Sequence, residues 1–402
     1  MLAAPPSGAE SLETPVRIYL DASQTGGSKE AGRAIERGIR TALALEDGKL
    51  GGRPVELVVR DHRANTARSL RHLEEFHADP QGLIVFGGMH SPPLLALRDR
   101  IHERAIPVLV PWAAAGPITR GAPPGWIFRL SVDDTKAGHA IARSAIRLEG
   151  FRRPFLILEN TGWGDSNLRT MSLAVKQAGG EVAGVHRFGW GTGVLTASEL
   201  IEDATDSGAD VIFLVANAEE GTSFARAILQ SPPEERLPIR SHWGITGGTF
   251  VADLGPDRIA ELDLKVIQTC FSFLSESSPR VREVLGVARR LYPELEPDPR
   301  RMPAATGFIH AFDLMQILVA ATRDLPWTGE IERDRRLLRD ALEQVAGPVP
   351  GLIKAYQNPF RPRVDGDPDA HEALGLDDLR MGSFARDGSI ELLSNVPAQP
   401  HP

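Results

Sequence analysis

From residue 16 to about residue 264 the chain alternates short, continuous apolar runs with longer stretches whose apolar positions recur every three or four residues. The short runs suit strands buried on both faces, and the longer period suits amphipathic helices. The pattern predicts strands over 16–21, 55–61, 83–86, 108–110, 155–159, 181–186, 211–215, 239–242 and 264–268. Helices are predicted over 29–46, 66–77, 94–103, 135–148, 168–178, 196–207 and 223–230. Such alternation predicts an α/β fold with mostly parallel sheets covered by helices. Two sets of units meet near 128–134, where a short strand leads into a helix. After 268 the rhythm changes to helices over 279–292, 303–322 and 334–345, a Pro- and Gly-rich stretch at 347–351, and a final strand over 390–393.

Composition narrows the classes. A chain of 402 residues with 42% hydrophobic content exceeds what one core usually holds, so two domains are expected. The net charge of -8, with no long Lys/Arg block, lacks the footprint of a nucleic-acid or anionic-membrane binder. Cys270 is the single cysteine, which rules out an intrachain disulfide, a multi-cysteine metal site and a CxxC redox pair. The longest apolar run, 211–216, has the length of a buried strand, so no direct membrane insertion is expected. The leading Met1-Leu2-Ala3-Ala4-Pro5-Pro6-Ser7-Gly8 has neither a basic nor an apolar leader region. That leaves a cytoplasmic chain, or an exported one whose signal peptide is not in this sequence.

Common catalytic signatures fail. Gly189-Trp190-Gly191-Thr192-Gly193 has the wrong spacing for a dinucleotide fingerprint and reads as a turn. His102-Glu103 and His371-Glu372 lack the second histidine of a zinc helix, since Ile106 and Gly375 stand there. Gly26-Gly27-Ser28-Lys29 lacks phosphate-loop spacing, and Ser28 reads as a helix cap. No G-x-S-x-G elbow is present. Neither a metal nor a cofactor is expected.

Recognition chemistry remains. Two strands run into loops of small residues, Gly87-Gly88-Met89-His90-Ser91 and Pro111-Trp112-Ala113-Ala114-Ala115-Gly116. Loops at the carboxyl ends of parallel strands, beside helix N-termini, hold ligands through backbone N–H groups. Ser91 precedes Pro92 and Pro93 and reads either as a plain N-cap or as a contact for a ligand carboxylate. Ala113, Ala114 and Ala115 let a ligand approach the backbone closely, or simply pack. Tryptophans recur at strand ends: Trp112, Trp163, Trp190 and Trp243. Each offers a flat apolar face and one N–H donor, suited to a cleft as well as to a core. Trp126 and Trp327 read as core or surface.

These residues carry a resemblance. The chain is similar to the type 1 periplasmic solute-binding proteins of ABC importers, the leucine/isoleucine/valine-binding branch, over nearly its whole length from Val16. The likeness rests on Gly27 to Gly38, on Gly-x-x-Ser ending at Ser91, on the Pro107-to-Pro117 loop and on Trp163-Gly164. It continues through Tyr356-Gln357-Asn358-Pro359-Phe360, His371 to Leu374, and Met381-Gly382-Ser383-Phe384 before Asp387-Gly388. It implies two Rossmann-like lobes, 16–131 plus 272–346 and 132–271 plus 347–393, with flexible ends at 1–15 and 394–402. Three crossovers are implied near 130–134, 268–273 and 345–351, about which the lobes close on a ligand. It also implies that Ser91 and Ala113 to Ala115 take a carboxylate from lobe one, faced by Trp163, the loop near Asn217 and the strand end near Trp243.

Departures from the family bear on the ligand. Ala31 and Ala115 replace an aromatic and a threonine, and Trp243-Gly244-Ile245 stands where an acid would meet an α-ammonium group. A buried ammonium needs a counter-charge, with Glu219, Glu220 or Asp165 as candidates if they are not surface acids. A ligand without an ammonium, such as a small carboxylate, amide, alcohol or aromatic acid, is the rival. The expected protein is a non-catalytic, periplasmic, monomeric receptor that delivers a small molecule to ABC permease subunits. A sensory module of the same fold and an α/β enzyme with an unrecognised site are the alternatives.

Overall fold

The computed structural model describes residues 13–120, 125–295, 297–364 and 366–394; the expected flexible ends lie outside these, apart from 13–15 and 394. Strands β1 (Val16–Ala22), β2 (Arg53–Asp61), β3 (Gly82–Gly87), β4 (Val108–Val110) and β5 (Ile127–Arg129) form one parallel sheet in the order β2-β1-β3-β4-β5. Lys49–Leu50 adds an antiparallel edge beyond β2. A second sheet contains β6 (Pro154–Glu159), β7 (Gly184–Phe188), β8 (Val211–Val215), β9 (Ile239–Ser241), β10 (Leu264–Thr269), β11 (Leu379–Phe384) and β12 (Ile390–Leu392). Its order is β12-β11-β10-β9-β8-β6-β7, parallel from β7 to β10 and antiparallel at β11 and β12. Every residue of β6 and β8 is buried, which is why both read as unbroken apolar runs.

Helices fill the crossovers: α1 (Lys29–Leu45), α2 (Thr66–Ala78), α3 (Ser91–Glu103), α4 (Asp134–Ala142), α5 (Gly162–Ala178), α6 (Val194–Asp206) and α7 (Ala218–Ile228). Side-chain caps start several of them; Asn65 accepts from the Arg68 N–H, Asp133 from Thr135 and Thr161 from Trp163. Of these helices, three begin at least three residues earlier than the periodicity predicts, α3 at 91, α5 at 162 and α7 at 218. Their first turns consist of proline, glycine or acidic residues, which read as loop but are well tolerated where N–H groups need no helical partner. At Gly164 a Cβ would lie 1.8 Å from the Glu159 carbonyl oxygen, so α5 can begin this close to β6 only on glycine. Strand β7 lies later than the predicted 181–186, and β11, with its mixed sequence Leu-Arg-Met-Gly-Ser-Phe, is not signalled by alternation.

Beyond β10 come α8 (Pro279–Leu291), α9 (Ala305–Thr322) and α10 (Ile331–Leu342), with α8 and α9 against α1 and α10 against α9 and β3. Helix α9 is long and apolar enough to cross a membrane by length and composition, which corrects the reading that no segment is; here it is a mostly buried core helix. Its Asp313 is fully buried and accepts from the N–H groups of Leu352 (2.6 Å) and Ile353 (3.0 Å) and from the Tyr356 hydroxyl (2.7 Å). Phe360 and His371 pack on Phe128 with ring centroids 5.0 Å and 4.0 Å away. The tail therefore stays on the first sheet and joins the second only at Leu379, rather than at 347 as the family resemblance implies.

One buried ion cluster fastens this tail. The Arg129 guanidinium, 0% exposed, donates to Glu372 at 2.7 and 2.9 Å and to the Ala113 and Ala115 carbonyls at 3.3 and 2.9 Å, and lies 3.1 Å from Asp133. Arg120 and Lys136 also meet Asp133. Burial works against the Asp133 charge, but Arg129 and Arg120 outweigh it and hold the carboxyl well below its usual range. Arg129→Met leaves two buried carboxylates undercompensated and is expected to cost about 3–5 kcal/mol. Urea unfolding measures this, and a loss under 1 kcal/mol contradicts the assigned role.

Candidate ligand-binding site

The carboxyl ends of both sheets face each other. On the first, His90 occupies the N-cap of α3 and Ser91 is its first helical residue, so Ser91 is not the cap. Its Oγ instead accepts from the Ala115 N–H at 3.2 Å. The Ala113–Ala115 loop is held by its carbonyls, two on Arg129 and that of Ala114 on the Asp134 N–H at 3.0 Å. Among the described residues no acceptor meets the N–H groups of Ala113 and Ala114. The loop is thus a rigid ledge with backbone donors to offer.

On the second sheet, Glu159 ends β6 and Trp163 lies in the first turn of α5. The Trp163 indole donates to Asp134 Oδ1 at 3.1 Å and stands edge-on to His242, 5.1 Å between ring centres. His242 Nδ1 accepts from the Trp243 N–H at 2.9 Å, which puts the ring proton on Nε2, 3.1 Å from the same Asp134 oxygen. A Cβ on Gly244 would lie 2.7 Å from Trp163 Cη2, so the glycine after Trp243 lets that ring reach the cleft. Asn217 Nδ2 donates to Glu159 Oε2 at 2.8 Å, and the Thr161 hydroxyl donates to Oε1 at 2.9 Å.

Where the sheets' ends meet, Ser91, Trp112, Ala114, Trp163, Asn217 and Trp243 converge on one cavity of about 10 Å³, room for a single water. Trp112 and Trp243 close it from either side with ring centres 5.7 Å apart, and the Trp112 indole N–H has no partner among the described residues. The Gly116 N–H crosses to Ser166 Oγ at 3.1 Å. Ala113 and Ala115 are buried in the ledge behind the cavity. Glu219 is exposed and lies outside it, in a mouth of about 220 Å³ shared with Gly26, Trp190 and His90. Asp165 pairs with Arg187, and Glu220 accepts from the Gly191 N–H at 2.8 Å, so both alternative acids are engaged elsewhere.

Sequence reasoning passed over His90 and Glu159, which line the cavity too. Burial holds the His90 imidazole down to about 3, helped by His62 nearby, so it is a neutral ring. The signal for Glu159 was a single acid closing the apolar run Phe155-Leu156-Ile157-Leu158. Burial pushes its carboxyl up to about 7, with Glu220 adding to the rise against hydrogen bonds from Thr161 and Trp190.

Two doubly wound lobes meeting at the carboxyl ends of their strands, with ledge donors and tryptophans between them, define a two-lobed small-molecule receptor. Over residues 15–368 the sequence matches the periplasmic binding protein family, and the chain belongs to it. No curated protein matches the sequence significantly. Similar solved structures include a type 1 periplasmic binding protein from Bordetella pertussis Tohama I, 16% identical, with a TM-score of 0.79 over 94% of this chain and 100% of that one. A solute-binding protein of an ABC transporter from R. palustris, in complex with benzoate, is 16% identical with a TM-score of 0.73 over 94% and 96%. The leucine-binding protein of Thermotoga maritima MSB8 is 18% identical with a TM-score of 0.72 over 94% and 98%. At these identities the likeness is one of fold.

The raised Glu159 carboxyl has a thermodynamic consequence. Between its unfolded range near 4.5 and about 7 the folded protein holds the extra proton, so stability falls as pH rises through that window and levels off above it. Glu159→Gln removes this dependence and is expected to gain roughly 3 kcal/mol relative to the parent between pH 4 and pH 8. Parallel melting curves at the two pH values test this; a constant difference between variant and parent contradicts it.

Proposed function

We propose that the protein captures a small carboxylic acid with a flat apolar body in the cleft, outside the cytoplasm, and hands it to an ABC importer without chemical change. The observation that carries this reading is the ledge at Ala114, whose N–H has no acceptor among the described residues and which lines one small cavity with Ser91 and the tryptophans. Backbone donors suit a carboxylate, and indole faces suit a planar body. With a cavity of about 10 Å³ between them, the lobes must part to admit a ligand. Closure then presents the joined faces to permease subunits.

The acids favour a ligand lacking an ammonium group. Glu159 is the acid inside the cavity, and its proton is retained up to about pH 7, so it offers little charge to a cation below that pH. The R. palustris protein with benzoate shows that an aromatic acid is compatible with this fold, as the leucine-binding protein does for an amino acid.

Thermal unfolding with benzoate, 4-hydroxybenzoate, short aliphatic acids and leucine tests the reading, because a ligand of the folded state raises the melting temperature. A shift for one of the acids and none for leucine is expected. Ser91→Ala and Trp163→Ala are each expected to weaken that acid at least tenfold, followed by tryptophan fluorescence. A shift for leucine alone overturns the ammonium-free ligand, and unchanged affinity in both variants overturns the site.

A further inference from the structure

A cavity of about 470 Å³, which shares no lining residue with the small cavity just described, lies beside the crossover that follows β10. Its size falls within the range of sites for small organic molecules. Phe250, Phe271, Phe273, Ile309 and Phe384 give it apolar walls from both lobes and from the crossover. None of the residues lining the small cavity between the tryptophans lines this one.

Three polar features line the same cavity. Helix α9 opens there with Ala305 and Thr306, and its N-cap, Ala304, supplies no side-chain cap, so the first-turn N–H groups of an 18-residue helix have no side-chain acceptor. Gln268, 7% exposed, takes the Thr306 hydroxyl on Oε1 at 3.0 Å and leaves Nε2 without a partner. Whichever way the amide is turned, one polar end is unsatisfied, a cost that a ligand acceptor or donor relieves. Lys29, at the start of α1, lines the cavity with no ion pair among the described residues. The other charges on its wall are partnered: Glu30 meets Arg33, Arg300 meets Asp298, and Arg301 meets Asp298 and Asp387.

We infer that this cavity is a second binding site, for an organic acid with an elongated apolar body, its carboxylate on the α9 N-terminus, Gln268 and Lys29 and its chain among the phenylalanines. The helix end and the ammonium favour an anion, while the unsatisfied amide supplies a directed donor. An inorganic anion would leave the aromatic walls unused, and a neutral lipid-like molecule would leave the donors unpaired.

Octanoate is the probe, followed by calorimetric titration of the intact protein with 1-octanol as the uncharged control. Octanoate is expected to bind, 1-octanol at least tenfold more weakly. Gln268→Leu and Lys29→Met are each expected to weaken octanoate at least fivefold, whereas Trp163→Ala in the cleft leaves it within twofold. Lys29 is partly exposed at a helix start, so its variant keeps the test alive if the Gln268 variant does not fold. No octanoate binding at millimolar concentration, equal binding of the alcohol, or loss on Trp163→Ala but not on Lys29→Met each overturns the inference. Benzoate titrated into the same variants reports on the cleft separately, so failure of one site is not read as failure of the other.

Discussion

The buried guanidinium of Arg129 is the constraint on which the rest of the molecule rests. It ends the last strand of the first sheet, so the protein's one passage from β5 into α4 begins at a fixed charge. Glu372 reaches it from a tail more than two hundred residues away in sequence, and that pairing holds the described part of the tail around it on the first lobe before β11 joins the second sheet. The same group turns the Ala113 and Ala115 carbonyls inward. A charge with no water around it is stable only when fully paired. Here that pairing helps give the ledge its shape, because it fixes the Ala113 and Ala115 carbonyls on Arg129.

The opposing wall follows a different logic. Trp163, His242 and Asp134 form a packed polar and aromatic set in which one Asp134 oxygen accepts from the Trp163 indole and lies 3.1 Å from His242 Nε2. Its second oxygen has no partner among the described residues. Beside it, Glu159 is spent on Asn217 and Thr161. The cleft therefore sets rigid backbone donors against broad rings, and charge is kept behind both surfaces instead of at the point of contact. On the proposed reading this arrangement discriminates by shape and by hydrogen bonding more than by ion pairing.

Much of this was legible in the chain. Strands such as β6 and β8, buried at every position, announce themselves as apolar runs, and the loops after β3 and β4 stand out by their small residues. Ser91, Trp112, Ala114, Trp163, Asn217 and Trp243, each singled out from the sequence, line one cavity. What stayed hidden depended on partners distant in sequence. Nothing local shows that Ser91 Oγ is taken by Ala115, that Arg129 meets Glu372, or that Glu159 is buried rather than solvated at its strand end. Glu219, one of three acids offered as a counter-charge, lies at the mouth in the first turn of α7, which begins five residues earlier than periodicity suggests. The tail's place beside the first sheet is not legible locally, because its anchors, Asp313 and Phe128, lie in other elements.

The clamp at the first crossover also sets the mechanics of any lobe movement. Asp133 is gripped by Arg120, Arg129 and Lys136, so the joint between β5 and α4 acts as an axle. The residues that meet at the mouth follow the opposite edges of the two sheets: Arg63 and Ala64 come after β2, and Trp190 after β7. If the lobes turn about this joint, the contacts across the mouth, with the Trp190 ring 6.1 Å from that of His90, are ones the turn has to break.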